Sequence, residues 1–434
     1  MNKNIKEVSK VKKGLILLIT ILSLLLITTS FGQKTVTIRY GVWMSEQIDG
    51  IKAQISAFEK KYPNIKVKLE HVPWEEYWTK LQTMMAGGDC WDVFTMDNGF
   101  YLKDYVAKKA VVDITPFIEK DKIDLSVYPS GILKLHNVDG RYYSLPRDYD
   151  TIAMYFNKKA FDEAKLKYPD TNWTWDDVKK AAEKLTKKDA KGSVVRYGIT
   201  ANGGALSASQ GFLFPLILSL GGTLVDKDGK VLLDTPPAVE ALSFAKELTE
   251  KGFAPKPGVT SEDLFLAGRS AMNFGGSWML GYYSQNIKAF NFGVVMLPKS
   301  KLGKRATISD SLGNVIWSKT KNLDAAWTFV KWMAGKEAAE ILGKTGAVIP
   351  AYKGADKLWV QGFKKFGKEK DAQVFIDSVK FTNPWPQTEG ASEWFDRWET
   401  YYIVEIISGR LPVEDGLKQA VQEINDIISK AKGQ

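Results

Sequence analysis

A single cysteine, Cys90, and two histidines, His71 and His136, stand in 434 residues. One thiol cannot form an intramolecular disulfide, so an exported form of this chain must rest on core burial. Two histidines and one thiol do not build a conventional Cys/His zinc site. No metal and no cofactor are expected. Nucleophile and phosphate motifs are missing as well. No Gly-x-Ser-x-Gly elbow occurs, and Gly275-Gly276-Ser277-Trp278 lacks its spacing. Gly343-Lys344-Thr345 looks like the end of a phosphate loop, but the glycine required five residues earlier is Ala338. A helical pattern precedes it, so it reads as a helix C-terminus. Asp226 to Gly229 lacks the remaining ligands of a calcium loop and reads as a hairpin turn. Low-complexity segments and short-period repeats are absent too.

What the chain does have is length, flat rings and a basic, apolar start. At 434 residues it exceeds one core and implies two or three domains. Fourteen Trp, 21 Phe and 17 Tyr supply rings that either fill cores or stack on planar and sugar-like ligands. Residues 1–32 read as a signal peptide. Lys3, Lys6, Lys10, Lys12 and Lys13 precede the aliphatic run Leu15 to Ile27, and Ser30-Phe31-Gly32 offers a small-residue cleavage site. Retention as an uncleaved anchor is the alternative. No cysteine ends the apolar run, which disfavours a lipoprotein. Five Lys and one Glu leave with this segment, and the net charge falls from +10 to +6. The remaining lysines are scattered (Lys60-Lys61, Lys187-Lys188, Lys364-Lys365), as on a solvated surface. No nucleic-acid partner is expected.

In chain order, Thr35 to Gly41 alternates as a strand, and Ile51, Ile55 and Phe58 share one helix face. A strand from Ile65 to Val72, a helix from Trp74 to Ala86 and a buried strand from Trp91 to Thr95 follow. This βαβαβ order demands a parallel sheet with right-handed crossovers, whose ligands gather beyond the carboxyl ends of strands. The stretch Gly140 to Lys159 is an elbow. It has a strand Tyr142 to Leu145, a stop at Pro146, three charges (Arg147, Asp148, Asp150) and a second strand, Ile152 to Phe156. An ordinary surface bend and a path between two bodies are both compatible with it.

The α/β grammar then restarts. Thr174 to Asp177 is a capping box, and helices at Ala208–Leu220 and Pro236–Glu250 alternate with strands near 196, 270 and 292. Ile308 to Ser318 reads as another crossing strand, interrupted at Gly313-Asn314. Helices from Ser392 to Ser408 and from Pro412 to Ala431 close the chain. Sugars present apolar faces to Trp and Tyr, and hydroxyl rims to Asp, Glu, Asn and Arg. Trp278, behind a double glycine, is the sharpest ring candidate, against a plain core role. Trp175 and Trp327 sit inside helical patterns and read as structural. Trp385 and Trp394 flank a proline-marked loop that is a candidate lid.

The chain also resembles the solute-binding proteins of ABC sugar importers, the group that includes maltose-binding protein. The matching segments include W-x-x-Y-W-x-K-L-Q-T-M-M-A-G-G from Trp74, W-D-V-F from Trp91 and Y-F-N-K-K-A-F from Tyr155. F-L-A-G-R-S-A-M from Phe265, G-G-S-W-M from Gly275 and A-W-x-F-V-K-W-M from Ala326 continue the series. The resemblance implies a two-lobed periplasmic-binding-protein (Venus-flytrap) fold of the α/β class, each lobe a mainly parallel sheet flanked by helices, with crossing hinge strands between them. Lobe 1 is expected over 33–148, completed by about 308–355, and lobe 2 over 149–307, completed by about 356–434.

The resemblance further implies a non-enzymatic, monomeric receptor outside the cytoplasmic membrane that hands a mono- or oligosaccharide to permease subunits. Ligand contacts are carried over to Trp43, Glu46 and Gln47, to Asp97 and Asn98, to Asp150 and to Trp278, with Trp385 or Trp394 adding an aromatic. Arg147 and Asp148 join the candidates, but they stand where relatives vary, so the ligand does not carry over. Two alternatives stay open. Another polar solute, such as glycerol phosphate or a polyamine, is one, and a secreted glycosidase using Asp97 and Asp150 is the other.

Overall fold

A computed structural model describes residues 35–258 and 262–433; the leader expected over 1–32 lies outside them. The first sheet starts from β1 (Val36–Val42), whose inward residues Ile38, Tyr40 and Val42 are fully buried. The helix Ile48–Lys61 buries Ile51, Ile55 and Phe58, and the chain returns as β2 (Ile65–His71) in parallel register, Val36 opposite Ile65. The helix Trp74–Ala86 then leads to β3 (Val93–Asp97), buried along its whole length and parallel to β1. β3 begins and ends two residues later than the pattern suggests, which makes Asp97 its last residue.

A second sheet is built on β4 (Ile152–Asn157), β5 (Val194–Ala201), β6 (Ser270–Gly276) and β7 (Phe292–Met296). Its strand order runs β7-β4-β6-β5. β5 and β6 are parallel, but β4 is antiparallel to both neighbours. The expectation of a mainly parallel sheet therefore holds for the first sheet and not for the second. The reason lies in connectivity, since β4 arrives along the elbow and not through a helical crossover. The capping box forms as expected, Thr174 accepting from the Asp177 N–H while Asp177 accepts from the Thr174 N–H. Trp175 and Trp327 are both buried, as their helical patterns imply.

After β7 the chain runs through Thr307–Ser309 and returns to the first sheet as β8 (Leu312–Ile316), antiparallel to β3. The break in this crossing falls at Asp310-Ser311, and the expected interruption at Gly313-Asn314 lies inside β8. In the elbow the expected strand Tyr142 to Leu145 is instead Arg141–Tyr142, paired with Asn137–Val138, and ahead of β4 Asp148–Tyr149 forms a further short strand bonded antiparallel to Ile349–Pro350. A third short strand, Thr382–Pro384, lies parallel to Thr307–Ser309.

Between the crossings sits His136, fully buried. Its Nδ1 meets Ser144 Oγ at 2.7 Å and Asn98 Nδ2 at 3.2 Å, and its Nε2 meets Ser311 Oγ at 2.8 Å. Burial pushes this imidazole down to about 3, so it is neutral at all ordinary pH. The cores are not split cleanly by sheet. One continuous cluster runs from Ile38 and Phe329 through Tyr149, Ile349 and Trp359 to Tyr155 and Phe292 of the second sheet. Among the described residues no helix is long and apolar enough to cross a membrane.

Candidate functional site

Strand ends from both sheets converge on one cavity of about 600 Å³. β1 delivers Trp43, Met44, Glu46 and Gln47 as it turns into a single helical turn, Ser45–Gln47. The Trp43 ring is held edge-on by Tyr77, 4.9 Å between centroids, and by Trp74 at 5.3 Å. β3 delivers Asp97, and Phe100 follows after the turn. From the second sheet come Trp278 and Met279 after β6, Asn202 after β5, and Gln210. A Cβ added at Gly276 would lie 1.8 Å from the Trp278 ring, so only glycine lets the indole fold back over its own strand. The crossings form the floor with Asp148, Tyr149, Asp150, Asp310 and Leu312.

Among the described residues, five carboxyl groups (Glu46, Asp97, Asp148, Asp150, Asp310) line this space, and no Lys, Arg or His does. Arg147 lies directly behind the wall, its side chain fully buried. Its Nη1 donates to Asp148 Oδ2 at 2.7 Å and its Nη2 to Gln47 Oε1 at 2.5 Å. Burial pushes Asp148 up to about 6 against the pull of Arg147. Burial, reinforced by the Asp310 charge, holds Asp97 and Asp150 well above the usual carboxylate range. Asp97 and Asp310 share a hydrogen bond, so the pair retains a proton between two oxygens that cannot both ionise cheaply. Asp150 is steadied from both sides, accepting from the Asp310 N–H at 3.0 Å and from Gln210 Nε2 at 3.1 and 3.2 Å.

Trp43, Glu46, Gln47, Asp97, Asp148, Asp150 and Trp278 are thus brought together, and the other candidates are not. Asn98 is fully buried behind the floor, donating to the Ser311 carbonyl at 2.9 Å. Arg147 acts on the cavity only through Asp148 and Gln47. Trp385 is buried and stacks on the far side of Phe100, with centroids 3.9 Å apart. Trp394 is a core residue, 1% exposed, its Nε1 donating to Thr388 Oγ1 at 2.7 Å.

Met44 and Trp74 lie at strand ends where ligands are expected to gather but are not among the named candidates, and sequence reasoning overlooked Phe100, Tyr149, Asn202, Gln210, Met279, Asp310, Leu312 and Val348. Two of these carried a signal. Asn202 precedes Gly203-Gly204 and adopts φ +47°, a left-handed conformation that asparagine tolerates. Asp310 is an acid inside an apolar crossing strand. A second, open groove of about 690 Å³ runs over the helix Ile48–Lys61 and β2, but lysines and aliphatics dominate its lining, and among the described residues no Trp, Tyr or Phe lines it.

The profile of the family described as "Bacterial extracellular solute-binding protein" matches residues 45–340. The chain belongs to that family, whose members bind substrates outside the cytoplasm. A galactooligosaccharide-binding protein of Bacillus subtilis is 23% identical over 398 residues, covering 88% of this chain and 87% of the relative. An arabinooligosaccharide-binding protein of the same organism is 25% identical over 303 residues, 65% of each chain. Among solved structures, an ABC substrate-binding protein from Listeria monocytogenes in complex with cycloalternan superposes with a TM-score of 0.82. It is 25% identical and covers 91% of this chain and 100% of its own. The two-lobed binding-protein fold is common to these chains.

Proposed function

We propose that this protein captures a saccharide in the cavity between its lobes and releases it unaltered to the permease of an ABC importer. One observation carries the reading: Trp43 and Trp278 enter a single cavity from different sheets, over a floor of carboxylates. Rings offer faces to the apolar side of a sugar, and carboxylates accept from its hydroxyls. A guest touching both lobes gains all its contacts only when the lobes close, so it shifts an open/closed equilibrium. The relatives named for galacto- and arabinooligosaccharides support the same class of guest.

The lobes divide near residue 148, with 308–355 completing the first and 356–434 the second. The leader is cleaved after Gly32, and the mature protein works as a monomer without a nucleic-acid partner. The carboxylate lining argues against glycerol phosphate, because Arg147, behind the wall, is spent on Asp148 and Gln47. A polyamine, whose ammonium groups need several acids, would also suit this lining, but the relatives named for oligosaccharides do not favour it.

The test is a thermal-shift screen of the mature chain with neutral oligosaccharides, hexoses and polyamines, since a ligand of the folded state raises the melting temperature. A shift with a saccharide, and no new reducing ends on prolonged incubation, is the expected result. A shift with polyamines alone transfers the reading to that guest, and accumulating reducing ends make the protein a glycosidase.

A further inference from the structure

Two π-turns face one another behind the second-sheet wall of the cavity: Ser209–Leu213 and Trp398–Tyr402. Such turns widen a helix by one residue and recur where a side chain must be re-aimed. The first carries Gln210, which donates to both oxygens of Asp150 at the cavity floor. It also carries Gly211, where a Cβ would lie 2.9 Å from Asn202 Oδ1, so this turn sets the place of a second lining residue.

The start of this turn is held from 190 residues away. The Ser209 N–H, an orphan donor at the turn's N-terminus, donates to Glu399 Oε1 at 2.8 Å. Trp398 Nε1 donates to Ser209 Oγ at 2.8 Å. We propose that Glu399 is a positioning residue of the binding site, fixing Gln210, and through it Asp150, by capping the Ser209 turn. A carboxyl tied to an N–H and placed away from water is costly unless its hydrogen bonds are retained. Glu399 is half-buried, and the Ser209 N–H supplies a hydrogen bond to its carboxyl. The chain of contacts then runs from the C-terminal helices to the crossing, because Asp150 is joined to Asp310, and Asp310 to Asp97.

The inference rests on the saccharide reading of the cavity, and the experiment separates the two. Calorimetry is run with the saccharide that gives the largest thermal shift, on wild type, Glu399→Ala, Glu399→Gln, Gln210→Ala and the Glu399→Ala/Gln210→Ala double variant. Glu399→Ala is expected to weaken binding about tenfold, and Glu399→Gln, which keeps an acceptor oxygen, to stay within about twofold of wild type. In the Gln210→Ala background, removing Glu399 is expected to cost nothing more, because the two act in series. Should Glu399→Ala not fold, Glu399→Met fills the same volume without a strong acceptor. Unchanged affinity in the Ala or Met variant, failure of Gln to rescue, or additive losses in the double variant each overturn the role of Glu399. If no saccharide binds the wild type, the reading beneath it falls instead.

Discussion

Individual tryptophans divide into those facing the guest and those filling a core, and the two groups make opposite predictions. Trp278 is half-buried and lines the cavity, so Trp278→Ala is expected to weaken saccharide binding at least about tenfold, with melting temperature nearly unchanged. Calorimetry beside thermal denaturation checks it. Trp394 is buried in one hydrophobic cluster with Ala391, Ile424 and Ile428. Trp394→Ala therefore costs about 3–5 kcal/mol of stability, read by denaturant unfolding, and leaves the surviving folded protein with ordinary affinity. Gly276 reports on the first group indirectly. Any side chain there drives the Trp278 ring from its place, so Gly276→Ala is expected to mimic Trp278→Ala in affinity.

Among the elements, the crossing segments carry the least regular secondary structure and most of the site's chemistry. The first sheet was legible because its period is plain: Ile51, Ile55 and Phe58 fall on one face, and β1 alternates. Trp43, Asp97 and Trp278 were legible because strand ends and a double glycine mark them. The remainder was hidden for physical reasons. Asp310 lies in the two-residue break between the short strand Thr307–Ser309 and β8, where no pattern declares it. Gln210 sits in a π-turn, whose extra residue rotates it away from the face that helical spacing assigns. Trp394 looked functional because a tryptophan beside a proline-marked loop carries no mark of its burial in sequence.

The second π-turn allows an argument about pH. Burial pushes Glu399 up to about 7, above the usual carboxylate range. Between about pH 5 and pH 7 the folded chain holds a proton there that the unfolded chain has released. Stability from this group is thus present at low pH and lost as pH rises through 7. Glu399→Gln removes that loss, and is expected to be more stable than wild type at pH 8, on the order of 1 kcal/mol, with no difference at pH 5. Urea unfolding at both values decides it.

At the scale of the whole molecule, the floor of the cavity and the path between the lobes are the same residues, so ligand, charge and motion are coupled. Asp148 and Asp150 belong to one crossing and Asp310 to another, and all three line the cavity. Closing the lobes around a guest removes these acids further from water, which raises the cost of their charge unless hydroxyl groups replace the lost solvent. A saccharide supplies those hydroxyls, so binding favours the ionised floor and lowers its proton affinity.

The sign of the pH effect follows. Asp148 is already raised to about 6 in the free protein, and Asp97 and Asp150 stand well above the usual range. Acidifying from pH 7.5 to pH 5 protonates Asp148 and removes an acceptor that the guest would use. Saccharide affinity is therefore expected to fall several-fold over that interval, and binding at the lower pH to release protons to the buffer. Calorimetry in two buffers of different ionisation enthalpy measures the release directly, and solution scattering at each pH measures the contraction on closure. Affinity that rises on acidification would mean that Asp148 binds as a donor in its neutral form, and its role as an acceptor would have to be reversed.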